Sequence, residues 1–109
     1  MTTVQRQDDA AQPASAAQPG NAVQFELFTS AFCGPCHHTR AVLTEAARLI
    51  PGATMVEHDV AHETDLAESL DIRTTPTVIV RDVDGAETFR SGGVPKLAQV
   101  LVAAGRALR

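Results

Sequence analysis

The two cysteines of the chain, Cys33 and Cys36, enclose Gly34 and Pro35 where a strand-like run of residues gives way to a helical one. Two sulfurs separated by two residues can close a small ring if the backbone turns into a helix there. We therefore predict reversible dithiol–disulfide chemistry. Cys33 is the predicted attacking thiolate, because the first turn of a helix favours an anion, and Cys36 is the predicted resolving thiol. Gly34 lets the backbone approach closely, and Pro35 stiffens the first helical positions.

The composition favours one small globular domain that acts on proteins or small molecules. The chain has 109 residues, of which 44% are hydrophobic, and its net charge is −4. Its Lys and Arg residues are scattered, so no basic surface for nucleic acid or an anionic membrane is predicted. The chain has no Trp or Tyr, which removes stacking platforms for bases. We expect a monomer without nucleic-acid or membrane partners.

Residues 1–22 are predicted to form a flexible tail. They include Pro13, Pro19 and Gly20 and almost no large apolar side chain, so they cannot bury enough surface to offset their ordering entropy. They also lack an apolar run preceded by basic residues, so we expect no signal peptide and a cytoplasmic protein. In a reducing cytosol a lone CxxC pair is more often catalytic or metal-binding than structural. The folded domain is predicted over residues 23–109.

The folded part alternates strand and helix patterns in the order βαβ–α–ββα. The β-branched run at residues 77–80 and the Asp84-Gly85 turn signal predict an antiparallel hairpin, and Pro95 is predicted to lie in the first turn of the last helix. We expect an α/β protein with a four-stranded mixed sheet and flanking helices. The predicted elements are strands at residues 23–29, 54–60, 77–80 and 87–90, and helices at residues 33–50, 63–70 and after Gly93.

The chain resembles the thioredoxin superfamily over about residues 23–108. Three separated features carry this resemblance: Phe32-Cys33-Gly34-Pro35-Cys36 at a strand-to-helix junction, Thr75-Pro76-Thr77 at the start of the next-to-last strand, and Gly92 before the final helix. The resemblance implies a thioredoxin-like fold and a thiol-disulfide oxidoreductase that reduces protein disulfides without a cofactor. It also implies a thioredoxin reductase as the electron donor.

The resemblance further implies roles for residues around the cysteines. Pro76 resembles a cis-proline that faces the CxxC motif, which would leave the backbone of Thr75 free to pair with an extended substrate segment. Phe32, Thr75 and Gly92 would line the substrate-contact surface, although Phe32 could instead be a core residue. The Gly34-Pro35 pair is typical of a reductant more than of an oxidase.

The predicted tail does not look like the extra amino-terminal strand and helix of full-length thioredoxins, and the chain also departs from the family pattern at two positions near the cysteines. Thioredoxins usually keep a buried carboxylate six residues before the first cysteine, where this chain has Leu27, and they usually have Trp at the position of Phe32. We therefore expect another base or water to deprotonate Cys36. The candidates are His37, His38, Glu57, His58 and Asp59. His37 is interpreted as a solvent-facing helix residue, and tuning of the thiolates by its imidazolium is the alternative.

The cysteine motif also fits two kinds of binding site. Residues 33–37 satisfy C-x-x-C-H, the pattern for covalent haem, but haem attachment would need export and would leave Thr75-Pro76 unexplained. A zinc-binding module is the non-enzymatic alternative, with Cys33 and Cys36 joined by two histidines. The histidines available are His37, His38, His58 and His62, of which His58 and His62 are otherwise interpreted as exposed polar residues.

A glutaredoxin-like reductase serving a low-molecular-weight thiol is the alternative within the same superfamily. The small domain, Leu27 and the Gly92-Gly93 pair favour it. The Gly-Pro filling of the motif argues against it, since glutaredoxins more often have Pro-Tyr. Arg40 and Arg73 are the candidates for holding a thiol peptide's carboxylate, and both are interpreted as surface charges.

Overall fold

The computed structural model describes residues 22–108, which form a four-stranded sheet and three helices. The predicted tail lies outside the described residues except for Ala22, which is buried at 6% exposure. The elements are β1 (Gln24–Thr29), α1 (Gly34–Leu49), β2 (Thr54–Asp59), α2 (Thr64–Ser69), β3 (Thr77–Arg81), β4 (Glu87–Gly92) and α3 (Leu97–Ala107).

The sheet has the strand order β2-β1-β3-β4 and is mixed, as the sequence predicts. β1 pairs parallel with β2 and antiparallel with β3, and β3 pairs antiparallel with β4. The two central strands carry the most apolar runs because both of their faces are covered. In β3, for example, Val78, Ile79 and Val80 are fully buried. The end of β1 and the start of β3 therefore lie side by side. The cysteine motif follows the end of β1, and Pro76 precedes the start of β3.

The main core lies between one face of the sheet and the helices α1 and α3. Phe25 and Leu27 of β1 meet Leu43 of α1 and Val100 of α3 in this core, and all four are fully buried. Their spacing follows from period-two alternation in the strand and helical spacing in the helices. This packing fixes α1 on the sheet, and with it the position of the helix's first turn.

Two predicted boundaries are wrong by one or two residues. Pro95 does not lie in the first turn of α3, because the helix begins after Lys96, whose backbone N–H donates to Oε1 of Gln99 at 3.0 Å. The last strand does not end at residue 90 as predicted, because it continues to Gly92, which pairs with Thr77. The chain leaves the sheet at Gly93, where φ is +89°, a conformation that glycine adopts readily.

An ion pair joins α1 to β2 on the same face of the sheet. The guanidinium of Arg40 donates two hydrogen bonds of 2.7 Å to the carboxylate of Glu57, which also accepts one of 3.1 Å from Thr29 Oγ1. These bonds, the two from Arg40 above all, lower the pKa of Glu57 against the opposing effect of its partial burial. The two side chains are 36% and 32% exposed, so solvent screens the pair in part.

Replacing Arg40 by Gln should destabilise the protein at neutral pH and make little difference in acid. A carboxylate with a lowered pKa contributes stability above its unfolded pKa of about 4.3, and that contribution is lost as the pH falls through the folded pKa. The difference in unfolding free energy between wild type and Arg40→Gln should therefore shrink from about pH 7 to about pH 3 in urea titrations.

Arg48→Gln is the matched control for this experiment. Arg48 binds Glu45 at 2.6 Å within α1, three residues away, and joins no second element of the fold. Its replacement should have a smaller effect across the same pH range, because exposed pairs of this kind contribute little. Equal and pH-independent losses in the two variants would contradict the role given to the Arg40–Glu57 pair.

Candidate functional site

The two sulfurs meet at the start of α1, as their spacing predicts. Cys33 and Cys36 form a disulfide, with their Cα atoms 5.2 Å apart. Cys33 is the N-cap residue of α1, and its Sγ accepts a hydrogen bond of 3.1 Å from the backbone N–H of Cys36. A sulfur that caps a helix in this way lies among N–H groups that have no partner within the helix.

The two sulfurs differ in exposure. Cys33 is partly exposed, whereas Cys36 is 2% exposed and lies under the first turn of the helix. No acidic residue occupies that turn, so nothing in it opposes the positive end of the helix dipole. The environment therefore favours a thiolate at Cys33, which another molecule can reach, more than at Cys36.

The residues between the cysteines suit the start of a helix and leave the surface open. Pro35 stands in the first turn, where its missing N–H costs no intrahelical bond. A Cβ built on Gly34 would meet nothing within 4 Å, so no crowding inside this chain requires a glycine there. The open space above Gly34 is instead available to a second molecule.

A loop before β3 lies beside the cysteine motif. The Thr75–Pro76 peptide bond is cis, and the carbonyl of Pro76 accepts a hydrogen bond of 2.8 Å from Gly93 N–H. The hydroxyls of Thr75 and Ser30 are hydrogen-bonded at 2.7 Å, which joins this loop to the loop between β1 and α1. The structure thus brings together the sequence-distant features on which the family resemblance rests.

Phe32 and Gly92 lie at the surface in this region. Phe32 is fully exposed, so its interpretation as a core residue is wrong. Its φ of 58° lies in the left-handed region, which is costly for a bulky residue. At Gly92 a Cβ would come within 3.3 Å of Thr74 Cγ2, so a larger residue would crowd the Pro76 loop. Val94 is also exposed, at 41%, which the sequence analysis does not predict.

In the sequence, the one feature that could indicate this exposed apolar side chain is its position directly after the Gly92-Gly93 pair.

The position without the expected carboxylate lies in the apolar core. Leu27 is fully buried, and its partner in the register of β2 is Glu57. Glu57 is committed to Arg40, and the resulting lowered pKa makes its carboxylate a weak base. His37 is exposed, as interpreted, and its Nδ1 lies 3.1 Å from Nη1 of Arg40. Because a guanidinium only donates, Nδ1 of His37 is the acceptor in this contact.

The interpretation of His58 as an exposed polar residue is wrong. Its side chain is 12% exposed and stacks on Phe28 with the ring centroids 4.8 Å apart. Its Nε2 lies 3.2 Å from the carboxylate of Glu26, and its Nδ1 lies 3.0 Å from that of Glu63. Glu26 also accepts a bond of 2.7 Å from Arg81. His58 therefore belongs to a hydrogen-bonded network on the sheet face opposite α1 and α3.

The histidines of the chain do not gather around the cysteines as a zinc site would require. His62 is 83% exposed and lies 3.4 Å from Asp59, while both ring nitrogens of His58 face carboxylates. Within residues 22–108, no three His, Cys, Asp or Glu side chains are grouped to hold a metal ion. None of the helices in the same range is long and apolar enough to cross a membrane.

Comparison with known proteins agrees with this geometry. The thioredoxin family model matches residues 18–103. The chain is 34% identical over 86 residues to a thioredoxin H-type from Oryza sativa subsp. indica, an alignment covering 79% of this chain and 69% of that protein. It is 36% identical over 70 residues to a thioredoxin from Mycoplasma genitalium, covering 63% of this chain and 68% of that protein.

Solved structures share the fold at lower identity. A mutant thioredoxin from Halobacterium salinarum NRC-1 superimposes with a TM-score of 0.73 at 22% identity, covering 82% of this chain and 77% of that one. The thioredoxin NaTrxh from Nicotiana alata gives a TM-score of 0.70 at 21% identity, covering 82% and 76%. The family match over most of the chain and the disulfide at the start of α1 lead to one conclusion: the chain belongs to the thioredoxin family and is a thiol-disulfide oxidoreductase.

Proposed function

We propose that the chain reduces disulfides in proteins, with Cys33 as the attacking thiolate and Cys36 as the resolving thiol. The observation that carries this proposal is the contrast between the two sulfurs. Cys33 Sγ caps α1 at a partly exposed position, whereas Cys36 is buried behind it. This contrast supports Cys33 as the sulfur that meets an incoming disulfide and Cys36 as the sulfur that then attacks Cys33.

The exchange takes two steps and moves two electrons to the substrate. Cys33 thiolate attacks one substrate sulfur, a mixed disulfide forms, and the other substrate sulfur leaves as a thiolate. Cys36 then loses its proton and attacks Cys33 Sγ, which releases the second substrate thiolate and leaves the Cys33–Cys36 disulfide that the structure describes. The substrate sulfurs take up the protons. A thioredoxin reductase is the donor that we propose for returning the protein to its dithiol form.

The surface around Cys33 is proposed to bind the substrate as an extended segment. Thr75 offers its backbone beside the cis Pro76, the space above Gly34 is open, and Gly92 is exposed. Phe32 projects fully into solvent next to the attacking sulfur. Main-chain hydrogen bonds would supply affinity with loose sequence demands, and the aromatic ring would be buried on docking.

The proposed setting is the cytoplasm, with the protein acting as a monomer. A dithiol that donates electrons must be kept reduced, which a reducing compartment supports. All of the residues given roles in the exchange come from one chain, so no second copy is needed to complete the site.

Replacing Cys36 by Ser should trap the substrate on the protein. The attacking sulfur remains, but the resolving thiol is absent, so the mixed disulfide between Cys33 and the substrate accumulates. Incubating the reduced variant with insulin should give a stable adduct on a non-reducing gel, and mass spectrometry should place the linkage at Cys33.

Cys33→Ser is the matched control, since it makes the same cysteine-to-serine replacement in the same motif. It should yield no adduct, because Cys36 is buried. An adduct of similar yield through Cys36 would show that the two roles are reversed or shared.

Replacing Phe32 by Ala should slow insulin reduction by the prereduced protein about fivefold or more, since a buried aromatic anchor typically contributes over 1 kcal/mol. Reduction of a small aromatic disulfide reagent, which makes few contacts, should change little. Stopped-flow measurement of both reactions separates docking from sulfur reactivity. Phe32→Gly should be slowed equally and be more stable than Phe32→Ala by about 1 kcal/mol, because glycine fits the left-handed backbone.

Val102→Ala is the control for this experiment. Val102 is 55% exposed and lines a separate groove of about 360 Å³ between β4 and α3, which contains none of the residues proposed to bind substrate. Its replacement should leave insulin reduction unchanged. Equal slowing by Phe32→Ala and Val102→Ala would contradict a specific contact by Phe32.

A further inference from the structure

A second cavity adjoins the Pro76 loop and has a different chemistry from the apolar groove beside α3. Its volume is about 210 Å³, and it is lined by Ser30, Val60, Ile72, Arg73, Thr74 and Thr75. Ser30 and Thr75 also form the hydrogen bond that joins this loop to the one leading into Cys33. The cavity therefore adjoins the surface that is proposed to contact the substrate.

Some polar groups of this cavity have donors that bond to no other residue among 22–108. In the bond between Ser30 and Thr75 one hydroxyl donates and the other accepts, so the accepting hydroxyl keeps its own proton for a further bond. Arg73 is 82% exposed and donates through Nε to Asp71 at 2.9 Å. Its two Nη groups make no hydrogen bond to any residue in the range 22–108. Val60 and Ile72 supply apolar walls.

A donor-rich cavity with a guanidinium at its edge suits an acidic side chain. A carboxylate accepts bonds from both a guanidinium and a hydroxyl, and its methylene stem can lie against aliphatic walls. The chain as a whole carries a charge of −4, so its overall field does not attract acidic substrates. Any preference for them must come from local groups such as Arg73.

An extended substrate would direct a side chain toward this cavity. Successive side chains of a strand point to opposite faces, so a substrate segment paired with the backbone of Thr75 would present a neighbouring side chain to the cavity wall. Asp71 is the opposing charge nearby. It is 72% exposed and already bonded to Arg73, so it competes with a substrate carboxylate for the same guanidinium.

We propose that this cavity is a specificity subsite, with Arg73 selecting protein disulfides that have an acidic residue beside the attacked cysteine. The subsite rests on the proposed docking of substrate along Thr75. Arg73 acts on substrate choice, so its loss should lower the rate for acidic substrates relative to the rate for neutral ones.

The experiment uses peptide disulfides that carry Glu, Gln or Lys at one position and are otherwise identical. That position lies directly before the attacked cysteine in one peptide series and directly after it in the other. Prereduced full-length protein is mixed with each peptide, and the single-turnover rate is followed. Wild type should reduce the best Glu peptide about two- to fivefold faster than its Gln counterpart, which is the upper part of the range for an exposed ion pair. The preference should weaken at high salt.

Variants of Arg73 and of its ion-pair partner Asp71 should change the preference for the Glu peptide in opposite directions. Arg73→Gln should abolish it, and Arg73→Glu should reverse it toward the Lys peptide. Asp71→Asn should increase it, because the competing carboxylate is gone. Arg48→Glu makes the same change in net charge at the far end of α1 and should leave the preference as in wild type.

The outcomes separate the subsite from the redox function. The subsite would be overturned by equal rates for the Glu and Gln peptides in wild type, or by equal effects of Arg73→Glu and Arg48→Glu on the ratio of those rates. In either case, reduction of the Gln peptide by wild type would still support the proposed redox function. A Glu/Gln rate ratio above one in wild type that falls to about one in Arg73→Gln and keeps its wild-type value in Arg48→Glu would establish the subsite.

Discussion

The contact between Cys33 Sγ and the first turn of α1 is the interaction on which the site depends. A free cysteine has a pKa of about 8.5 and is mostly protonated at neutral pH, so an attacking sulfur needs a neighbour that favours the anion. Here the neighbours are backbone N–H groups, including that of Cys36 at 3.1 Å. Their position follows from the packing of Leu43 and Val100 against β1, which holds α1 on the sheet.

The redox pair and the sheet could be predicted because their signals are local. The CxxC spacing, the strand-to-helix switch at Cys33 and the β-branched run after Pro76 each lie within a few residues. The order of elements follows from these patterns. The start of α3 was misplaced because proline is as acceptable just before a helix as within its first turn, and only the cap of Lys96 by Gln99 decides between the two.

Other features could not be predicted because they depend on contacts between distant residues. His58 is covered by Phe28 and by two carboxylates, that of Glu63 just before α2 and that of Glu26 in β1, which is 32 residues away. The Ser30–Thr75 bond that builds the proposed subsite spans 45 residues. A single sequence carries no local signal for either contact. The exposure and left-handed backbone of Phe32 could not be predicted either, since an aromatic residue beside a strand fits a core equally well.

The most direct test of the account is the rate at which iodoacetamide alkylates each thiol of the reduced protein as a function of pH. The account predicts that Cys33 reacts faster than free cysteine at neutral pH, with a midpoint below about 8.5, and that Cys36 reacts slowly throughout. If both thiols react no faster than free cysteine, or if Cys36 is the faster of the two, the assignment of Cys33 as the attacking thiolate is wrong.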